Sequence, residues 1–520
     1  MLVVGLLVGW GASVAAPGRL QTAADQAAGH GDLIVIEVDK GGNRRTLIAP
    51  VAPDVTKAAA LPPDAAGLTA AGQVAQPFIP LWLCIPFVLL LGSIALMPFI
   101  HQQFWHHHYP DIALFLGGLV TGYYFGAFGS AAQYTTIHSL QEYVGFIALV
   151  GGLYVASGGV VIKVSGRGRP LANTVLLAFG AVFANLVGTT GASMLLIRPF
   201  MRLNHSRLKP IHIVFFIFIV SNCGGCLTPI GDPPLYLGFL KGVPFFWTLQ
   251  HLWPMWLLVN GVLLAMFFMV DVVLERKSQT AVEGFEKVKV SVEGWGGKVC
   301  MAVIVLSAFI TPALKKYAGI DNGWIAPFVQ IAAAAVAYWI APKANHEHNG
   351  FNFEPVKEVG LLFAGIFATM MPALAFLQAN GSKLGLESST QLYFATGGLS
   401  AVLDNAPTYL SLLQIAFSDV GLEMTGENLT RYTSSVYEIS HASTPANLLV
   451  VTAGAKVLAD ISLAAVFFGA MSYIGNGPNF MVKAIAEQRG VKMPSFFGYL
   501  GLAMVFLLPV LVINWAIFVR

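Results

Sequence analysis

The chain reads as an all-α, polytopic membrane protein of about ten transmembrane helices in two inverted-topology repeats, each with a re-entrant hairpin and a broken helix. Three observations predict this. First, 56% of the 520 residues are hydrophobic, 11% are charged, and the mean hydropathy is +0.70. Soluble domains carry about 25% charged residues, so this chain cannot coat a water-facing surface. Second, apolar runs of about 20 residues, enough to cross a bilayer, recur along the chain. Third, Gly, Pro, Asp and Asn interrupt these runs at matching places: PIGDPPL (229–235) aligns with YIGNGPN (473–479) at a shift of 244.

The elements follow in order. Residues 1–16, MLVVGLLVGWGASVAA, resemble a signal peptide, with a short apolar run and small residues at Ser13 and Ala15. Residues 17–78 are too polar to span and read as an exported, low-order segment in which GDLIVIEVDKGGNRRTLIAPV forms a small hairpin. Spans are predicted at 79–99, 111–130, 142–163, 211–247 (broken), 254–274, 299–316, 321–341, 358–379, 447–488 (broken) and 496–517. Two further apolar stretches, 171–200 and 391–418, are divided by ANLVGTTGAS and LSAVLDNAPT. Neither half can cross about 30 Å of hydrocarbon, so each stretch reads as a hairpin that enters and leaves on one side. Repeat 1 then covers 79–274, a cytoplasmic linker covers 275–298, and repeat 2 covers 299–520.

Charge bias sets the orientation, because cytoplasmic loops are enriched in Lys and Arg. Loops predicted inside hold Lys163, Arg167, Arg169, Arg202, Arg207, Lys209, Arg276, Lys277, Lys287, Lys289, Lys298, Lys343, Lys357, Arg489 and Lys492, fifteen in all. Those predicted outside hold five: Lys241, Lys315, Lys316, Lys383 and Arg431. The first hairpin then enters from the cytoplasm and the second from outside, in the inner membrane of the cell. The net charge of +3 carries no such information. The four cysteines, Cys84, Cys223, Cys226 and Cys300, make no disulfide framework.

Irregular backbone at membrane depth survives only where protein or a wet cavity surrounds it. Gly225 and Gly231 permit the unusual backbone, and Pro229, Pro233 and Pro234 remove donors and leave carbonyls free for a hard cation such as Na⁺. Gly475 and Asn476 occupy the matching break. Asp232 lies in the first break and Asp404 at the tip of the second hairpin. A charge at the bilayer centre costs roughly 2.5–3.5 kcal/mol and marks a functional site by default. Burial favours a protonated carboxyl and a nearby cation favours an ionised one, so such a group can exchange H⁺ for Na⁺. Asn185, Thr189, Thr190 and Ser193 in the first hairpin, Asn405 and Thr408 in the second, and Asn222 and Thr228 in the break offer neutral oxygens. Lys456 and Asp460, four residues apart on one helix face, neutralise each other either structurally or as coupling charges. Glu142 reads as the interfacial start of a helix.

The motifs GTTGASMLLIRPFMRLN (188–204), SNCGGCLTPIGDPP (221–234), LLFAGIFATMMPAL (361–374), SAVLDNAPTYL (400–410) and SYIGNGPNFMVKAIAE (472–487) resemble the ion-transporter superfamily. The resemblance covers residue 79 to the end and is strongest to NhaD-type sodium/proton antiporters and the neighbouring citrate-transporter group. It implies cation sites near the midplane, one from Asn185, Thr189 and Thr190 with the backbone of Gly225–Asp232, the other from Asp404, Asn405, Gly475 and Asn476. It also implies a homodimer. Dicarboxylate-carrying relatives have Ser-Asn-Thr at both hairpin tips, whereas this chain has Gly-Thr-Thr and Leu-Asp-Asn. A fixed carboxylate repels an organic anion, so Na⁺/H⁺ antiport is the expected activity and cation-coupled citrate or dicarboxylate transport the alternative. An ion channel is more remote. So is a metalloenzyme built on HQQFWHHHYP (101–110) with His346 and His348, because consecutive histidines diverge on a helix. Beyond the bilayer, Na⁺ and H⁺, no cofactor, transition metal or nucleic acid is expected.

Overall fold

Helices account for nearly all of the described spanning segments in the computed structural model. It describes residues 33–40, 43–50 and 79–520, apart from 167, 206, 278–288, 321, 387, 420–428 and 430–444. The predicted signal-like segment 1–16 and most of 17–78 lie outside the described residues. The hairpin expected there is present: β1 (Leu33–Lys40) pairs antiparallel with β2 (Asn43–Pro50).

Among the described residues, eight helices are long and apolar enough to cross a membrane, or ten if each bent pair is one span. The N-terminal half runs α1 (Ile85–Ile100), α2 (Gln102–Gly129), α3 (Ala132–Gly158), β3 (Val161–Ser165), the bent α4 (Pro170–Leu203), α5 (Pro210–Ile219), α6 (Pro233–Lys241) and α7 (Trp247–Lys277). Next come β4 (Lys289–Glu293), α8 (Trp295–Ser307), α9 (Ile310–Ala318), α10 (Ile325–Ile340), α11 (Lys343–Asn349) and α12 (Glu354–Asn380). The last elements are α13 (Ser389–Ser400), α14 (Asn405–Asp419), α15 (Pro445–Phe468), α16 (Gly477–Gln488), α17 (Phe496–Phe506) and α18 (Leu508–Asn514), closed by a π-turn at Trp515–Val519.

Several predicted limits move. The segment containing His106–His108 is not a loop but the first turns of α2, with Pro110 inside the helix. Glu142 does not begin a helix; it sits ten residues into α3, buried, where Lys241 Nζ reaches it at 2.6 Å and His138 Nδ1 at 3.3 Å. α7 starts before Pro254, at Trp247. The predicted span 299–316 is two helices, divided at residues 308–309. The linker supplies β4, which pairs antiparallel with β3 from Val161↔Glu293 to Ser165↔Lys289 and so ties the two halves together.

α2, α3 and α12 form one packed layer. Gly117 and Gly365 let α2 and α12 approach until a methyl on Gly365 would meet the Ala113 carbonyl at 2.6 Å, the small-residue contact that favours helix association in a bilayer. Phe146 of α3 stacks on Phe363 of α12 with centroids 4.6 Å apart. α11 caps α3: Asn349 Nδ2 donates to the Gly158 and Val160 carbonyls and Asn345 Nδ2 to that of Gly159.

α4 is a hairpin. Gly188, at φ 79° and ψ 153°, breaks the helix in a conformation that only glycine adopts easily. The two feet meet: Asn173 and Asn204 exchange amide hydrogen bonds at 2.7 and 2.9 Å, and the Gly168 N–H donates to the Leu203 carbonyl. Buried Asp271 of α7 clamps these feet, accepting Arg207 bidentately at 2.7 and 2.8 Å, Asn173 at 2.7 Å and His212 at 2.9 Å. α13 and α14 fold back likewise across residues 401–404. Ser418, near the end of α14, bonds the Gln378 carbonyl and accepts from the Ser382 N–H, just before α13 begins.

Candidate functional site

Each broken helix is a closed loop. In the first, a turn of 3₁₀ helix (Cys223–Leu227) follows α5, and the chain returns so that a methyl on Gly231 would collide with the Gly225 carbonyl oxygen. In the second, Gly469–Met471 forms the 3₁₀ turn after α15, and a methyl on Gly475 would lie 2.6 Å from the Gly469 oxygen. Asp232 and Asn476 stand at equivalent places, each the extended residue before a helix, with φ, ψ of −144°, 146° and −155°, 139°.

An aspartate before a helix ordinarily accepts from the N–H groups of the first turn. Here Pro233 and Pro234 have no N–H, and the Leu235 and Tyr236 amides go to the Asp232 main-chain carbonyl. The carboxylate makes no cap bond and is free for partners from elsewhere. It receives three. Thr189 Oγ1 donates to Oδ1 at 2.7 Å, Asn476 Nδ2 to Oδ1 at 2.8 Å, and Asn405 Nδ2 to Oδ2 at 2.6 Å. Both hairpin tips and both breaks thus meet at one carboxylate that is 1% exposed. The halves also lock directly: Asn222 Nδ2 donates to Asn479 Oδ1 at 2.6 Å, and Asn476 Nδ2 approaches Asn222 Oδ1 and the Ser221 carbonyl.

Asn405 and Asn476, expected in the second site, both bond to Asp232 of the first, so the two predicted ligand sets adjoin. Other predicted ligands serve the scaffold. Asn185 holds the break together, donating to the Gly224 carbonyl at 2.7 Å and accepting from the Leu227 N–H at 2.8 Å. Thr228 donates to the Asn185 carbonyl, Ser193 shares a hydrogen bond with Ser221, and Thr408 donates to the Asp404 carbonyl. Thr190 joins Gly188, Thr189, Ile230, Asp232 and Tyr236 around a cavity that opens beside the carboxylate. Asp404 Oδ1 accepts the Ala406 N–H at 3.0 Å, capping α14. Among the described residues, Asn405 Oδ1 is buried without a donor, and the Ala406 bond engages only one of the two Asp404 carboxylate oxygens.

The backbone freed by the breaks is largely taken up. Trp256 Nε1 and Asn185 donate to the Gly224 carbonyl, Asn260 to Cys223, Thr248 to Leu227, Asn479 to Gly469 and Ser472, and Gly231 accepts the Thr189 N–H. Unpaired carbonyls are costly in an apolar interior, and polar side chains from neighbouring helices satisfy them. Sequence reading missed Trp256, Asn260, Thr248 and Asn479. Their only signal is one polar atom inside an apolar span, a pattern shared with many packed helices.

Lys456 and Asp460 form no ion pair. Asp460 is buried with its Oδ2 lacking a hydrogen-bond partner among the described residues, whereas Lys456 is exposed. The histidines also stay apart. His346 packs between Tyr338 and Phe351, His348 Nε2 accepts from Arg202 at 2.6 Å, and His108 contacts Asp111 in α2. Among the described residues no group of three His, Cys, Asp or Glu side chains is placed to hold a metal.

A family model described as "Putative citrate transport" matches residues 76–519. A search of curated proteins gives no match.

Proposed function

The chain belongs to this citrate-transport family, and from that premise we propose that it is a secondary active transporter of the inner membrane in which Asp232 takes up H⁺ and Na⁺ in turn. The observation that carries the reading is the set of three donors, from both hairpins and the second break, on the carboxylate of the first break. Thr189, Asn405 and Asn476 hold the carboxylate in one orientation. A cation arriving through the cavity at Thr190 and Gly188 meets a negative charge with Asn405 Oδ1 beside it. A proton on Asp232 removes that charge, so occupancy by proton and cation is mutually exclusive. Asp404 adds a second negative charge nearby. The matching loops at Gly225–Asp232 and Gly469–Asn476 support two repeats related by inversion, the arrangement in which alternating access moves one bundle against the other.

A second reading, cation-coupled uptake of citrate or a dicarboxylate, is favoured by the family description. The two carboxylates argue against it, because an organic anion at this centre would lie against like charge in a medium of low dielectric. The test is fluorescence-monitored ΔpH in everted vesicles with Na⁺, Li⁺, K⁺ and citrate added in turn, for wild type, Asp232→Asn and Asp404→Asn. Sodium-driven proton movement lost in Asp232→Asn is the expected result. Undiminished exchange in either variant removes that residue from the site. Labelled citrate uptake without any cation-driven pH change overturns the antiport reading.

A further inference from the structure

Arg198 lies in the last turns of α4, one turn before Arg202 on the same helix face. Its Nη1 is buried and has no hydrogen-bond partner, and its Nη2 lies over Gly350, where a methyl would be 3.1 Å away. Among the described residues, the charged groups acting on Arg198 are Arg202 and Arg489, with the Tyr154 hydroxyl and the His348 imidazole also close by. Arg202 donates through Nη1 to His348 Nε2 at 2.6 Å; that imidazole nitrogen accepts, so His348 is neutral and brings no counter-charge. Arg489 follows α16 and is exposed. Of the carboxylates on the neighbouring elements, Glu487 pairs with Lys483 at 2.8 Å, Glu293 pairs with Lys163 at 2.6 Å while still facing His348, and Glu347 is exposed. Among the described residues, no carboxylate pairs with any of the three arginines.

A guanidinium does not lose its proton in a protein. A buried donor without an acceptor is costly, and clustered like charges add repulsion that only an anion offsets. The planar forks of Arg suit bidentate binding of carboxylate or phosphate oxygens. Three arms meet here: the outgoing leg of the first hairpin, the end of the second broken helix, and the α11–α12 turn at Gly350. We propose that Arg198, Arg202 and Arg489 form a binding site for a multivalent oxyanion, carboxylate or phosphate, separate from the Asp232 centre and independent of which ion that centre carries. The oxyanion is either a soluble anion or the phosphate of an anionic lipid, and both present the same oxygens to the same forks.

The experiment uses the full chain, purified and placed in nanodiscs of phosphatidylcholine or of phosphatidylglycerol. Citrate and inorganic phosphate are titrated into the phosphatidylcholine discs by calorimetry at constant Na⁺ and ionic strength. Retained phosphatidylglycerol is counted by native mass spectrometry. Variants are Arg198→Gln, Arg198→Lys, Arg489→Gln and, at the far end of α12, Lys383→Gln. Arg489 is exposed, so its variant tests the site even where an Arg198 variant fails to fold. A soluble ligand is expected to lose affinity about tenfold or more in Arg198→Gln and Arg489→Gln, with Arg198→Lys intermediate and Lys383→Gln unchanged. A lipid ligand gives the same ranking in phosphatidylglycerol retention, with no heat from citrate or phosphate. No arginine-dependent binding in either arm, or an equal loss in Lys383→Gln, overturns the proposal.

Discussion

Asp232 owes its position to the two residues after it. A carboxylate in this place ordinarily caps the helix through the N–H of the second or third helical residue, a bond worth about 1 kcal/mol. Pro234 removes the donor at the second position, the Leu235 N–H at the third goes to the Asp232 main-chain carbonyl, and both prolines fit the first turn of the helix. The side chain therefore reaches Thr189, Asn405 and Asn476. Pro234→Ala restores a donor at the second position without altering any charge. The expected outcome is a protein at least as stable as wild type in detergent thermal unfolding, with sodium-driven exchange in vesicles sharply reduced. Wild-type exchange in this variant would show that the tertiary donors alone hold the carboxylate. The sequence made Asp232 conspicuous but not its partners, because Asn405 and Asn476 lie 173 and 244 residues away and belong to the other half of the chain.

At the scale of elements, the two breaks share one design: a 3₁₀ turn, a return of the chain onto a glycine carbonyl, and an extended residue before a short helix. Gly231 and Gly475 are fixed by close approach of backbone, not by left-handed torsion, since neither has positive φ. Gly231→Ala would press its methyl onto the Gly225 oxygen, an atom that cannot swing away. A cost of about 1–3 kcal/mol is expected from such overpacking. Gly477→Ala, whose methyl would meet nothing within 4 Å, should leave the thermal midpoint close to wild type. Equal midpoints for the two variants would contradict the closed-loop geometry. The breaks and hairpins were legible because Gly, Pro and Asp are expensive inside a spanning helix. The fate of the backbone carbonyls was not. The donors that satisfy them, Trp256, Asn260 and Asn479, come from distant helices and leave no local pattern. Of the two readings of the Lys456–Asp460 spacing, the close salt bridge is absent for a related reason: four residues allow one, but Asp460 is buried while Lys456 remains exposed.

For the whole molecule, the consequence is that groups from both ends of the chain converge on one carboxylate. Asn476 stands where a second aspartate would be, and it spends its amide on the first. Two ionised carboxylates at that distance would repel, whereas an amide and a carboxylate attract. One carboxylate shared by four converging segments can be neutralised by one proton or one cation at a time. Binding of Na⁺ to the folded protein raises its stability by RT ln(1 + [Na⁺]/Kd), where Kd is the apparent constant at that pH. If Asp232 takes up both ions as proposed, protons compete for the same charge, and Na⁺ should stabilise the protein strongly at alkaline pH and progressively less as the pH falls. Thermal unfolding at fixed ionic strength, with Na⁺ exchanged for choline across a pH series, measures this directly. The apparent Kd should rise about tenfold for each pH unit on the acid side, the limit for competition by one proton. Asp232→Asn should abolish both the Na⁺ effect and its pH dependence. A pH-independent Na⁺ effect that survives in Asp232→Asn would place the cation elsewhere and remove proton–cation competition at Asp232 from the mechanism.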